Sequence, residues 1–232
     1  MNILAIDTSS LNATCALLCG GSLAGEFTIC NKKTHSQMIM PMINDVLEKA
    51  AVKTEDIDVF APCIGPGSFT GLRIGIAAAK AFCQARNKKI IGISSLDAIA
   101  QNFFTSDKIV CPIMDARRGD VYNALYKNGE KIVSERAVSL DDLLCELNGT
   151  KTVFAGDGIF AYKEKIVDKM GDNAYFAPPM HALSRASSVA YLASKRAEKG
   201  EFDDYHTILP VYLRTCQAER EYNERMNKFT NN

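Results

Sequence analysis

The chain has 232 residues, enough for a substantial core or for two small lobes, with 47% hydrophobic and 23% charged residues, the make-up of an ordinary globular protein. Lys plus Arg equals Asp plus Glu at 27 each, and the balance holds locally, with 9 basic and 8 acidic side chains over residues 1–104 and 18 and 19 over residues 105–232. That excludes a basic surface able to grip a polyphosphate chain unaided, so contact with nucleic acid is expected to need a partner.

The opening run Ile3-Leu4-Ala5-Ile6 reads as a buried strand over residues 2–7. It lacks the basic end and longer apolar stretch of a signal peptide, and no apolar run approaches the ~20 residues of a membrane span. Strands are expected next at 13–18 and 22–30, joined across Gly20-Gly21, a hairpin-turn pair. Cys15 and Cys19, four apart on one strand face, read as small core residues. The eight cysteines are scattered and none forms C-x-x-C, so with no export signal the chain is expected in the cytoplasm. A helix over about 36–51 carries Ile39, Ile43, Val46 and Ala50 at helical spacing, and its Pro41 marks either a start or a kink. A strand at 57–64, a helix at 70–86, a strand at 89–93 and a helix at 95–104 follow.

The same order then repeats. Strands are expected at 108–114, 120–127 and 130–138, with Asn128-Gly129 as a hairpin turn. A helix at 140–147 opens on Ser139-Leu140-Asp141-Asp142, with capping-box spacing and Asp in place of Glu. A strand at 152–155, a helix at 158–169, a short strand near 174–176 and a helix at 185–199 complete it. Each half reads β-β-β-α-β-α-β-α, an α/β pattern that divides the chain into lobes 1–104 and 105–215. Residues 216–232, rich in charge and Asn without an apolar stripe, read as a flexible tail.

The most distinctive stretch is Gly65-Pro66-Gly67-Ser68-Phe69-Thr70-Gly71-Leu72-Arg73-Ile74-Gly75, between an expected strand and an expected helix. It lacks the Gly-Lys-Ser/Thr of a Walker loop, and Thr70 stands where the dinucleotide fingerprint needs its third glycine. Two readings stay open: a tight turn whose glycines permit close packing, or a cradle that brings a phosphate to the helix N-terminus. Asp7-Thr8-Ser9-Ser10 ends the first strand and is open in the same way, to an Asx-turn or to a phosphate-facing turn. The helix after the glycine segment has only Arg73, Lys80 and Gln84 as strongly polar residues from Leu72 to Ala85. Gly75, Ala78, Ala79 and Phe82 fall at helical spacing on it. A helix apolar nearly all round is buried on more than one side, here by a sheet and by either the 36–51 helix or another protein. His35, His181 and His206 form no H-x-x-x-H or H-E-x-x-H motif, and no serine sits in G-x-S-x-G.

Met1 to Ser9, His35-Ser36, the Gly65–Gly75 segment and Pro210-Val211-Tyr212-Leu213-Arg214 together closely resemble the TsaB (YeaZ) family, over essentially the whole chain. The resemblance implies the duplicated actin/Hsp70-like ATPase fold, with the nucleotide phosphates facing the turn that Asp7 opens. It also implies a part in forming N6-threonylcarbamoyladenosine at position 37 of tRNAs that read ANN codons, through pairing with the catalytic paralogue TsaD, with the ATPase TsaE joining them. In TsaD-like proteins two histidines after the second glycine-rich helix bind a metal. The matching stretch here is Gly92-Ile93-Ser94-Ser95-Leu96-Asp97-Ala98-Ile99, with Ser95 and Ile99 at those positions and no metal site expected. No intrinsic cofactor is expected, and Asp7, Thr8, Ser9, Gly65, Gly67 and Gly71 are a vestigial phosphate cleft at most. ATP or ADP at the junction of a complex is left open. The expected partner surface comprises Met38, Ile39, Met42, Ile43, Val46, Arg73, Gly75, Ala78, Ala79 and Phe82. Alternatives are a glycoprotease-like or small-molecule kinase-like enzyme, for which Asp7 and Asp115 are the tempting carboxylates, and a stand-alone homodimer.

Overall fold

The computed structural model describes residues 1–31 and 34–214. The first sheet holds β1 (Asn2–Asp7), β2 (Ala13–Cys19), β3 (Ser22–Ile29), β4 (Val59–Gly65), β5 (Lys89–Ile90) and β6 (Ile93–Ser94), in the order β3-β2-β1-β4-β5 with β6 also on β4. The second holds β7 (Ile109–Arg117), β8 (Asp120–Lys127), β9 (Glu130–Ser139), β10 (Thr152–Ala155) and β11 (Ala174–Phe176), in the order β11-β10-β7-β8-β9. The two orders are the same path, with an antiparallel meander on one side of the first strand and parallel strands on the other. The helices are α1 (His35–Lys49), α2 (Phe69–Arg86), α3 (Ser95–Gln101), α4 (Leu140–Glu146), α5 (Gly158–Met170), α6 (Pro179–Ala182) and α7 (Ala186–Glu198). The duplicated element order expected from periodicity is therefore present. Among the described residues no helix is long and apolar enough to cross a membrane.

β1 is a continuous apolar run because both its faces are covered. Leu4 and Ile6 point to α1 and α2 and join Ile39, Met42, Ile43, Val46 and Ala79, while Ile3 and Ala5 point the other way and join Ala186, Val189, Ala190 and Ala193 of α7. α1 begins at His35, ahead of Pro41, which sits on its exposed side. Ser139 caps α4 as its spacing implies: its hydroxyl accepts from the Asp142 N–H at 3.1 Å and donates to the Asp142 carboxylate at 2.7 Å.

The packed lobes do not coincide with the halves 1–104 and 105–215. α7, from the second half, covers the first sheet, and Leu96, Ile99 and Ala100 of α3, from the first half, lie in the core of the second sheet. The exchange is fastened by polar contacts. Asn12 donates to the Ser184 carbonyl at 2.9 Å, and Ser188 donates to Asn102 at 2.7 Å. Glu26 on β3 meets the N-terminus of α7, accepting from the Ser187 N–H at 3.0 Å and its hydroxyl at 2.8 Å while paired with Arg185. Burial alone would push the Glu26 carboxyl up; the Arg185 and Ser187 donors outweigh it and hold it below its usual range. The expected tail 216–232, and residue 215 with it, lies outside the described residues.

Candidate functional site

Between the two sheets lies a cavity of about 630 Å³. Ser9, Ser10, Leu11 and Gly67–Phe69 line it from the first lobe, and Met114–Arg117, Tyr122, Asp157, Phe160 and Ala161 from the second. Asp7, at the end of β1, is buried just behind it and accepts the Ser9 N–H on Oδ1 at 2.7 Å, which is an Asx-turn. The turn it shapes lies directly on the start of α2. Thr8 donates its hydroxyl to the Gly71 carbonyl at 2.7 Å, and the Ser68 N–H donates to the Ser9 carbonyl at 2.8 Å. A Cβ on Gly67 would come within 2.4 Å of the Ser9 carbonyl oxygen, and one on Gly71 within 2.0 Å of that of Thr8. The Gly71 N–H is taken by the Ser68 hydroxyl, the N-cap of α2, at 3.2 Å. Of the two readings of the glycine segment, close packing is the one that the Gly67 and Gly71 contacts fit, while Gly67, Ser68 and Phe69 at the start of α2 also face the cavity.

The second lobe repeats the device. A Cβ on Gly156 would lie 2.1 Å from the Ile113 carbonyl oxygen. Asp157 follows, accepting the Asp115 N–H at 3.1 Å. Asp115 in turn accepts from the Arg117 N–H at 2.8 Å and the Tyr162 hydroxyl at 3.0 Å. Burial first, and the charge of Asp115 second among the raising effects, push the Asp157 carboxyl up to about 6. An acid raised in the folded state binds its proton more tightly there than in the unfolded chain. Its burial therefore costs stability only once pH has risen through that range. Asp157→Asn, which keeps the acceptor, is expected to raise stability at pH 7.5 by about 2 kcal/mol, with the gain gone below about pH 4. Thermal melts of both proteins across that pH range check this.

Cys63 on β4 is sealed beside Asp7, Ser95 and Ser184. Burial, then the Asp7 charge, push its thiol well above the usual range, so it is no nucleophile. Ser95 and Ile99, which the resemblance matched to metal-binding histidines, are both fully buried, and Ile99 belongs to the second core. Among the described residues no group of three or more His, Cys, Asp or Glu is arranged to hold a metal ion. His35 instead contacts the Ser10 carbonyl through Nε2 at 2.9 Å.

The partner surface drawn from sequence needs correction. Ile39, Met42, Ile43, Val46, Gly75 and Ala79 face the chain's own first sheet and are buried there. Met38, Ala78 and Phe82 are half-buried, with Phe82 stacked on Phe60 at 5.1 Å. Arg73 is exposed and held by Tyr212, to whose hydroxyl its Nε donates at 2.9 Å. The outward face of α2 keeps Ala78 from the expected surface and joins it to Ile74, Ala77, Ala81 and Ala85, which at helical spacing are all exposed or half-buried. α2 is thus apolar on both sides, one buried against the sheet and one partly open, where Ala77, Ala81 and Ala85 are exposed while Ile74 and Ala78 still pack against the first core. Sequence spacing found the helix but mixed its two sides, taking Gly75 and Ala79 from the inner one with Arg73, Ala78 and Phe82 from outside it. Asp157 and, on the outer stripe of α2, Ile74, Ala77, Ala81 and Ala85 are the site residues it missed. The repeat of Gly65/Gly67 as Gly156/Gly158 was the signal for the first.

Residues 29–222 match the model of the TsaD family, described as tRNA N6-adenosine threonylcarbamoyltransferase. The tRNA threonylcarbamoyladenosine biosynthesis protein TsaB of Bacillus subtilis is 34% identical over 97% of this chain and 99% of its own length. YeaZ from Pseudomonas aeruginosa superposes with a TM-score of 0.79 at 28% identity, covering 91% of this chain and 99% of that one. The ethanolamine utilization protein EutJ from Carboxydothermus hydrogenoformans, at 10% identity, TM-score 0.54 and coverage of 83% and 90%, shares the fold alone. With two sheets of identical strand order meeting at a central cleft, and a relative at this identity over nearly its whole length, the chain has the actin/Hsp70-like fold and belongs to the TsaB family.

Proposed function

We propose that this chain is the non-catalytic scaffold subunit in N6-threonylcarbamoyladenosine formation at position 37 of ANN-reading tRNAs, pairing with its catalytic paralogue TsaD while TsaE joins the pair. The observation that carries the reading is the outer stripe of α2, where small residues leave a backbone open to close approach by a second helix. The cleft supports it from the other side. Gly67 and Gly71 are used against Ser9 and Thr8, which fits a cleft whose glycines serve packing, and a nucleotide that takes part would sit at the junction with TsaD. Ser95 and Ile99, buried and without an imidazole between them, fit a subunit that holds no metal of its own at that place. Local charge balance fits tRNA contact made through the complex, in the cytoplasm.

Two measurements test it together. Depletion of the protein, followed by mass analysis of tRNA nucleosides, is expected to lower threonylcarbamoyladenosine. The purified chain alone is expected to hydrolyse neither ATP nor peptides above background. Sustained ATP turnover by the isolated chain that vanishes in Asp7→Ala would instead make it an enzyme. The same α2 stripe can pair with a second copy, and sedimentation with and without TsaD separates a homodimer from the heterodimer.

A further inference from the structure

The segment Pro210-Val211-Tyr212-Leu213-Arg214 does not line the cavity, yet it touches both walls of the cleft. The chain reaches it along the first lobe. The Asp203 N–H donates to the Ile90 carbonyl at 2.9 Å, Ile208 is buried against the first core, and Lys80 of α2 donates to the His206 and Ile208 carbonyls, each at 3.3 Å. The Val211 N–H then donates to the Ile64 carbonyl at 2.7 Å. Here the backbone lies so close that a Cβ on Gly65 would sit 2.7 Å from the Val211 carbonyl oxygen, and Gly65 also has a positive φ of 120°.

The next three residues change lobes. The Tyr212 ring stacks on Phe69 at 4.2 Å with 6° between the planes, and its hydroxyl accepts from Arg73. Leu213 packs against the core of the second sheet. Arg214 donates to the Ala116 carbonyl at 3.0 Å and pairs with Asp120 at 2.7 Å. Phe69 lines the cavity from the first lobe and Ala116 from the second. Elsewhere the lobes are joined through α3, α7 and the residues leading into them, a junction about which two lobes can rock.

We infer that Tyr212, Leu213 and Arg214 form a clasp that fixes the angle between the lobes and holds the cleft at one width. The stack and the arginine pair grip one wall each, so loss of either end frees the same movement. Native-state amide exchange at pH 7, read by mass spectrometry on full-length Arg214→Ala and Tyr212→Ala, tests this. Both variants are expected to exchange at least ~10-fold faster over residues 66–70 and 115–120, while β1 and α7 keep their rates. Unchanged exchange would overturn the inference, and so would a uniform acceleration over the whole chain, which marks a general stability contact. Failure of both variants to fold would overturn it too, because lobes already interlocked through α3 and α7 do not need a clasp to form.

Discussion

Gly71→Ala is expected to destabilise the chain by about 3 kcal/mol, the upper end of what overpacking a rigid site costs. The added carbon would meet the Thr8 carbonyl oxygen at 2.0 Å, and the atom in its way is backbone, not the free end of a side chain. Thr8 has little room to retreat. Its hydroxyl is bonded to the Gly71 carbonyl, and its neighbour Ser9 is held by both Asp7 and Ser68. The change is otherwise favourable to a helix, since Ala outranks Gly in helix propensity by about 1 kcal/mol. Loss of stability would therefore report the contact alone. Urea unfolding followed by circular dichroism measures it. An unchanged midpoint would mean that the turn after β1 can lift off α2, and that Gly71 is not needed for their contact.

Ala81→Arg carries the second large effect, on association. Ala81 is exposed on the outer stripe of α2, so the variant is expected to fold with an unchanged circular dichroism spectrum. Against TsaD the long charged side chain would hold two backbones apart and be stripped of water without a counter-charge. A loss of about 2 kcal/mol or more is expected, more than tenfold in affinity, with tRNA modification falling in parallel. Titration calorimetry with TsaD checks it. Full binding by a folded variant would move the interface off this face. The same change at Ala79, inside the core with Leu4 and Ile6, would unfold the chain and report nothing about a partner.

Local periodicity located the major strands and helices because each signals through its own residues. β1 alternates between two covered faces, α1 repeats its apolar positions every three or four residues, and Gly20-Gly21 and Asn128-Gly129 mark hairpins. What it could not give depends on distant residues. The expected strand at 89–93 is split into β5 and β6, with Gly92 between them. The Gly92 N–H bonds the Asp203 carboxylate at 2.8 Å, a partner more than a hundred positions away. The four-residue α6 is too short to show a period. The side of α2 that faces inward is undetermined by a pattern apolar all round, whereas the stripe on α1 was core, as an amphipathic stripe usually is. At the cleft, the glycines and Asp7 stood out in the sequence. That they serve contact between two turns follows only from the placement of Thr8 and Ser9 against α2.

The exchange of α3 and α7 makes the two repeats inseparable as objects. A fragment ending after residue 104 would leave Ile3, Ala5, Ala16 and Ala61 without the alanines of α7 and would leave Leu96, Ile99 and Ala100 of α3 without the second sheet's core. Its complement would lack Leu96 and Ile99 from its own core and bear α7 as a bare apolar helix. Neither repeat holds a closed hydrophobic interior, so the unit that gains stability on folding is the pair. A polypeptide still emerging from the ribosome cannot cover the second face of its first sheet until the residues of α7 have been made.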